Sequence, residues 1–176
     1  MTLWAAPFDR EEILYKLRGG FTPAGRLILP GACRPEAFEL PRLKPFFLAH
    51  RGRYQTAPAA RFVAPLRRFA HAATGLMLGR GKARVDRFEA QGYTLFADDE
   101  ETRREGTLEL TLDLSSAVCG GPALYQSATE RLLIPQSPGL AALVLRTPGL
   151  YRRDAYLPHD VGEAAVVRLR AVFDLI

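Results

Sequence analysis

The spacing of apolar residues changes along the chain, from a helical period in the first part to alternation in the second. A helix is predicted over roughly residues 60–74, because its apolar residues recur at spacings of four, three and four and share one face. These residues are Phe62, Leu66, Phe69 and Ala73. An earlier helix is predicted to begin at Asp9, which can cap its N-terminus, and to stop at Gly19-Gly20.

After Gly81 the pattern is typical of strands. In residues 107–114, leucines occupy one side while threonines and acidic residues occupy the other. Further strands are predicted at 26–30, 84–88, 92–96, 123–126, 140–146 and 166–173. Helices followed by a series of short strands between Gly and Pro turns predict an α+β chain with a β-sandwich or jelly-roll core.

The length of 176 residues indicates a single domain, with residues 1–80 as a helix-rich support and residues 81–176 as the jelly-roll core. An apolar fraction of 48% excludes disordered and fibrous classes. No apolar run approaches the roughly 20 residues of a membrane span, and the N-terminal residues lack a signal-peptide core. We therefore expect a cytoplasmic protein without a membrane partner.

Cys33 and Cys119 lack a CxxC spacing, which argues against a zinc site.

The net charge of +5 raises the question of a nucleic-acid partner. Nearly all of the positive charge is arginine, and no run of five basic residues occurs. The arginines alternate with acidic residues, as in residues 101–105, which is typical of a solvated mixed-charge surface. A basic nucleic-acid-binding module is therefore only a third hypothesis for the function.

The last predicted strand carries two arginines on one face. Arg168 and Arg170 share that face with Val166 and Val172. A buried guanidinium needs an anionic partner, so two interpretations remain open. Either the face is solvated and both arginines lie in water, or Arg168 points into the mouth of a jelly roll and binds a carboxylate.

Two segments resemble a known enzyme family when they are considered together. His159-Asp160-Val161 is followed by Arg168, nine residues after the histidine. Upstream lies Gly92-Tyr93-Thr94-Leu95-Phe96-Ala97-Asp98. Their order and spacing resemble the Fe(II)/2-oxoglutarate oxygenases of the prolyl 4-hydroxylase type. With the matching parts around them, such as Gly120-Gly121 and residues 135–145, the resemblance covers roughly residues 24–176. In that family an H-x-D motif follows a Gly-Tyr pair, and a distal histidine opens a strand in an H-x-V context.

The resemblance implies a double-stranded β-helix, or jelly roll, with the N-terminal helices packed on one sheet. It implies Asp98 and His159 as metal ligands, with Arg168 and Tyr93 binding 2-oxoglutarate. Fe(II) and 2-oxoglutarate would be the cofactors, and a peptide or small molecule would be the substrate. It implies no catalytic residues beyond these metal and cosubstrate ligands.

One departure from the family pattern affects all of these expectations. Phe96 stands where the proximal histidine should be, and a phenyl ring cannot ligate a metal. Other residues offer poor replacements for the missing histidine ligand. Asp99 should face away from Asp98, because adjacent strand residues point to opposite faces. His71 fits packing of the predicted helix better, and His50 fits a surface loop better. The chain is therefore either an oxygenase with an incomplete metal triad or a catalytically inactive jelly-roll binding or regulatory protein with no cofactor.

Overall fold

A computed structural model of the chain describes residues 2–48, 52–98 and 106–176. The described residues form two helices, α1 (Glu11–Ala24) and α2 (Val63–Thr74), together with ten strands. The strands are β1 (Arg26–Leu29), β2 (Lys44–Leu48), β3 (Gly52–Pro58), β4 (Leu78–Phe88), β5 (Thr107–Asp113), β6 (Ala123–Gln126), β7 (Arg131–Ile134), β8 (Ala141–Arg146), β9 (Tyr151–Asp154) and β10 (Val166–Leu175).

The strands form two antiparallel sheets that pack face to face. The large sheet has the order β1-β8-β5-β10-β4-β3-β2, and the small sheet has the order β7-β6-β9. Ala123 and Tyr125 of β6 pack against Ala142 and Val144 of β8, which closes the space between the sheets. The predicted class, a jelly-roll core with N-terminal helices packed on one sheet, is confirmed.

The helices cover the outer face of the large sheet. Their buried residues share one core with the leucines of β5 and with Leu169, Ala171 and Phe173 of β10. Every residue of β5 is buried, because one side of the strand contacts the helices and the other faces the small sheet. The polar side of β5 therefore lies inside the jelly roll.

The first helix is longer than its glycines predict. It continues through Gly19-Gly20 and ends at Gly25, whose φ of 61° is left-handed and whose N–H bonds the carbonyl of Phe21 at 2.7 Å. The predicted stop is wrong because a glycine inside a helix costs only about 0.5–1 kcal/mol. Burial of Phe21, which is 2% exposed, outweighs that cost.

The segment 92–96 is not a strand, so that prediction is also wrong. It runs beside β9 without regular pairing and ends in a 3₁₀ turn, Phe96–Asp98. The Thr94 N–H donates to the Asp154 carbonyl at 3.1 Å, and the Leu157 N–H donates to the Gly92 carbonyl at 3.0 Å. Strands β2, β3, β7 and β9 were not predicted, because charged residues and proline interrupt their apolar pattern.

No helix in the described part of the chain has both the length and the apolar character needed to cross a membrane.

The close contact between β4 and β10 leads to a stability prediction. A Cβ added at Gly81 would come within 2.5 Å of the ring of Phe173, which is fully buried. We expect Gly81→Ala to lower the free energy of unfolding by about 1–3 kcal/mol in urea titrations. Gly19→Ala is the matched control, since nothing lies within 4 Å of its added Cβ. It should raise stability by about 0.5–1 kcal/mol, and equal effects of the two changes would contradict the packing at Gly81.

Candidate functional site

The two metal ligands that the family resemblance implies lie in different turns of the chain. Asp98 ends the 3₁₀ turn Phe96–Asp98, whereas His159 begins another 3₁₀ turn, His159–Val161. The side chain of His159 is exposed. Because β10 begins only at Val166, His159 lies in the connection before that strand and does not open it.

The aromatic residues of the first segment contact side chains near β9. The guanidinium carbon of Arg153 lies 5.2 Å from the ring centroid of Phe96, a cation–π distance. The ring of Tyr93 lies 6.1 Å from the ring of Tyr156. Phe96, which the family resemblance places at the missing histidine, therefore has a cation beside it.

Arg168 is buried inside the jelly roll. Its side chain is only 4% exposed, and its guanidinium forms an ion pair with Asp154 of β9 and donates to the carbonyl of Gly121. Arg170 on the same face is 6% exposed. The interpretation that both arginines lie in water is therefore wrong, and the carboxylate bound by Arg168 belongs to the protein itself.

A second arginine links this pair to a second buried carboxylate. Arg152 donates to both oxygens of Asp154, at 2.8 and 2.9 Å, and its Nε lies 3.0 Å from Glu109. Glu109 also accepts hydrogen bonds from Arg146 at 2.6 Å and from the Tyr125 hydroxyl at 2.8 Å. We call these side chains the interior ion network: Glu109, Tyr125, Arg146, Arg152, Asp154 and Arg168.

Strand alternation explains why these charges meet. Glu109 lies on the side of β5 opposite its buried leucines, and Arg168 lies on the side of β10 opposite Leu169. Arg152 and Asp154 are two residues apart on β9, so both face inward across the gap between the sheets. The network thus joins β5, β8 and β10 of the large sheet to β6 and β9 of the small sheet.

The network keeps both carboxylates ionised. Burial alone would raise the pKa of Glu109, but Arg170, Arg152 and Arg146 outweigh it and lower that pKa to about 2. Burial likewise opposes ionisation of Asp154, and Arg152 and Arg168 hold its pKa well below the usual range. Burial beside Glu109 raises the pKa of the Tyr125 hydroxyl, which remains a hydrogen-bond donor.

Two observations bear on the iron and the 2-oxoglutarate that the family resemblance implies. In residues 2–48, 52–98 and 106–176, no three His, Cys, Asp or Glu side chains are grouped so that they could hold a metal ion. The side chain of Asp98, and the positions of His50 and Asp99, lie outside the described part. Arg168 already has an internal carboxylate partner.

Solved structures of similar fold include prolyl hydroxylases and another 2OG-Fe(II) oxygenase. A Pseudomonas putida prolyl-4-hydroxylase matches with a TM-score of 0.66 at 12% identity, covering 92% of this chain and 98% of its own. A 2OG-Fe(II) oxygenase family oxidoreductase from Burkholderia pseudomallei matches with a TM-score of 0.65 at 10% identity, covering 92% and 90%. A Trichoplax adhaerens prolyl hydroxylase, solved with a hypoxia inducible factor peptide fragment, matches with a TM-score of 0.64 at 10% identity, covering 93% and 90%.

These matches establish the fold. The chain has the double-stranded β-helix fold of the 2-oxoglutarate/Fe(II) oxygenases, in the form seen in prolyl hydroxylases. No protein-family model and no curated protein sequence matches this chain.

Sequence reasoning found Arg168 but missed the residues that surround it. Tyr125, Arg146, Arg152 and Asp154 were not predicted as site residues, because β9 was not predicted and the patterns of β6 and β8 do not show that their polar residues face the same interior. One signal was available: the strand 107–113 has an acidic side and the last strand a basic side, and both strands are otherwise strongly apolar. Two such strands satisfy each other's charges if both polar sides face the same interior.

The interior ion network leads to a second stability prediction. Glu109→Gln keeps the shape of the side chain but leaves Arg146 and Arg152 without this counter-charge. We expect the free energy of unfolding to fall by about 3–5 kcal/mol. Glu130→Gln, at an ion pair with Arg26 whose side chains are 40% and 43% exposed, is the control and should cost about 1 kcal/mol or less. Equal losses would show that the buried network contributes no more than a surface pair.

The network should also set the acid stability of the protein. The pKa of Glu109 is lowered from 4.5 to about 2, so its contribution is complete above 4.5 and is lost as the pH falls towards 2. Asp154 acts in the same direction. Urea midpoints measured between about pH 5 and pH 2 should therefore fall steeply. Glu109→Gln should show a shallower fall, and a pH-independent midpoint in the wild-type protein would contradict ionised buried carboxylates.

Proposed function

We propose that the protein is a non-catalytic binding protein built on the oxygenase jelly roll, and that it does not turn over 2-oxoglutarate. A single observation carries this proposal. Arg168, the residue that the family resemblance assigns to the cosubstrate, forms an ion pair with Asp154 and is buried with it.

Energetics favour the internal partner over a cosubstrate. To bind 2-oxoglutarate, Arg168 would have to leave Asp154, whose remaining ion-pair partner among the described residues is Arg152. Breaking a buried ion pair costs on the order of 3 kcal/mol. Since about 1.4 kcal/mol corresponds to a factor of ten, the affinity for the cosubstrate would fall by more than a hundredfold.

The surroundings of Phe96 disfavour a metal as well. Phe96 offers no ligand atom, and the guanidinium of Arg153 lies against its ring. A positive charge beside the expected metal position repels a dication. On the proposed function, the protein therefore binds its partner without Fe(II).

The partner that we propose is a peptide or a small molecule in the cytoplasm. One structure of similar fold, the Trichoplax adhaerens prolyl hydroxylase, was solved with a peptide fragment. Another, HygX from Streptomyces hygroscopicus, was solved with nickel, 2-oxoglutarate and hygromycin B. The fold can therefore present either kind of ligand-binding surface.

An active oxygenase is the second candidate function, and one observation favours it. The Thr94 hydroxyl lies 3.3 Å from the carboxylate of Asp154, which in turn pairs with Arg168. The segment that contains Tyr93 and Asp98 therefore contacts the carboxylate partner of Arg168, which supports this second candidate. In this case Asp98 and His159 would hold Fe(II), and Arg168 and Tyr93 would hold 2-oxoglutarate in place of Asp154.

A turnover assay separates the two candidates. The protein would be loaded anaerobically with Fe(II) and supplied with 2-oxoglutarate, ascorbate and oxygen, and succinate would be measured. We expect no succinate above background from the wild-type protein. We expect the same from Phe96→His, because a restored histidine leaves Arg168 paired with Asp154.

The assay needs two controls. A prolyl hydroxylase in the same buffer must produce succinate, and circular dichroism must show that Phe96→His is folded. Succinate from the wild-type protein would support the oxygenase and refute the non-catalytic proposal. Succinate from Phe96→His alone would show that the missing histidine, and not the Arg168–Asp154 pair, disables the site.

A further inference from the structure

A pocket lies outside the jelly roll, where the first residues of the chain pack against the two helices. It has a volume of about 310 Å³. One wall is α2, which contributes Pro65, Arg68, Phe69 and Ala72. Their spacings of three, one and three residues place these side chains in one stripe of the helix. The other walls are the N-terminal segment and the start of α1.

Backbone hydrogen bonds hold the N-terminal wall in place. Trp4 pairs with Cys33 in an isolated antiparallel bridge. Next to this bridge, the Ala5 N–H donates to the Ala32 carbonyl at 3.0 Å. The N-terminal wall is therefore part of the folded protein.

The pocket is predominantly aromatic and apolar. The ring of Trp4 stacks on the ring of Phe69, with centroids 3.5 Å apart and an interplanar angle of 14°. Phe69 and Leu14 are buried, whereas Trp4 and Phe8 are half-buried and retain accessible surface. A ligand that covers the rings of Trp4 and Phe8 removes apolar surface from water, which favours binding.

Three charged side chains also line the pocket: Asp9, Glu11 and Arg68. All three are exposed, and within the described part of the chain none of them forms an ion pair or a side-chain hydrogen bond. Two carboxylates and one guanidinium give the lining a net negative charge. A positively charged ligand therefore complements the pocket better than an anion does.

Glu11 also has a local role, which an experiment must separate from binding. It lies in the first turn of α1, where an acidic side chain stabilises the helix through the helix dipole. Glu12 lies in the same turn and is exposed as well, but it does not line the pocket. The two glutamates therefore form a matched pair that differs in access to the pocket.

We propose that this pocket binds a small organic ammonium compound with an apolar body, of the arylalkylamine type. The apolar body contacts Trp4 and Phe8, and the ammonium group is attracted by Asp9, by Glu11 and by the faces of the aromatic rings. The volume lies at the lower end of the roughly 300–1,000 Å³ of small-molecule pockets, which suits a ligand with about one ring. The site shares no residue with the interior ion network and does not depend on whether the protein turns over 2-oxoglutarate.

Fluorescence titration with phenethylamine tests the proposal, because Trp4 is the only tryptophan of the chain and lines the pocket. We expect a saturable change in tryptophan emission with a dissociation constant below about 1 mM. Added salt should weaken binding, since the carboxylates are exposed. Free N-acetyltryptophanamide, titrated in parallel, controls for collisional quenching and should show no saturation.

Variants of the charged residues test the sign of the interaction. Glu11→Gln should weaken phenethylamine binding about threefold, and Asp9→Asn combined with Glu11→Gln about tenfold. Arg68→Gln removes a repelling charge and should strengthen binding about twofold. Glu12→Gln is the matched control and should bind like the wild-type protein. Equal weakening by Glu11→Gln and Glu12→Gln, or weakening by Arg68→Gln, would overturn the proposal.

Two analogues of phenethylamine test whether the ammonium group is recognised. 2-Phenylethanol keeps the ring without a charge, and 3-phenylpropionate carries a negative charge instead. Both should bind at least about fivefold more weakly than phenethylamine. Equal or tighter binding of either analogue would refute an ammonium site, as would the absence of any saturable change in emission with phenethylamine.

A second copy of the chain is the alternative occupant of this pocket. Sedimentation at the protein concentrations of the titration should show a monomer. A dimer that Phe8→Ala dissociates would assign the pocket to self-association and overturn the proposal. Phenethylamine binding together with succinate production in the turnover assay would refute only the non-catalytic function and leave the ammonium site supported.

Discussion

Two ionised carboxylates inside the jelly roll hold its two sheets together. Glu109 belongs to the large sheet and Asp154 to the small one, and Arg152 contacts both. Arg168 reaches from β10 across to Asp154, so that the central strand of the large sheet is tied to the small sheet. Buried ions are tolerated only when their partners are in place, so each of these side chains depends on the others.

On the proposed function, the same network explains how the oxygenase fold can persist without turnover of 2-oxoglutarate. In a jelly roll the space between the sheets can either enclose a ligand or be filled by side chains. Here the interior ion network lies in that space, and Arg168, which the family resemblance assigns to the cosubstrate, forms an ion pair with Asp154. Fold similarity therefore carries less functional information here than the contacts of one arginine.

The sequence predicted the architecture better than it predicted the site. Helix α2 and strands β5, β6, β8 and β10 follow from apolar periodicity, because these elements bury continuous apolar faces. The course of α1 past Gly19-Gly20 could not be foreseen, since tertiary packing overrode a local signal. The ion pair between Arg168 and Asp154 could not be predicted either, because the two side chains come into contact only when the fold brings β9 and β10 together.

The position of β10 in the large sheet affects how the chain folds during its synthesis. This strand follows all the others in sequence, yet it lies between β4 and β5. Until it emerges from the ribosome, both of those strands have unpaired edges, and β4 and β5 could pair with other chains. The nascent polypeptide thus has an interval in which a molecular chaperone would be of most use, and this interval closes only when the C-terminal strand inserts.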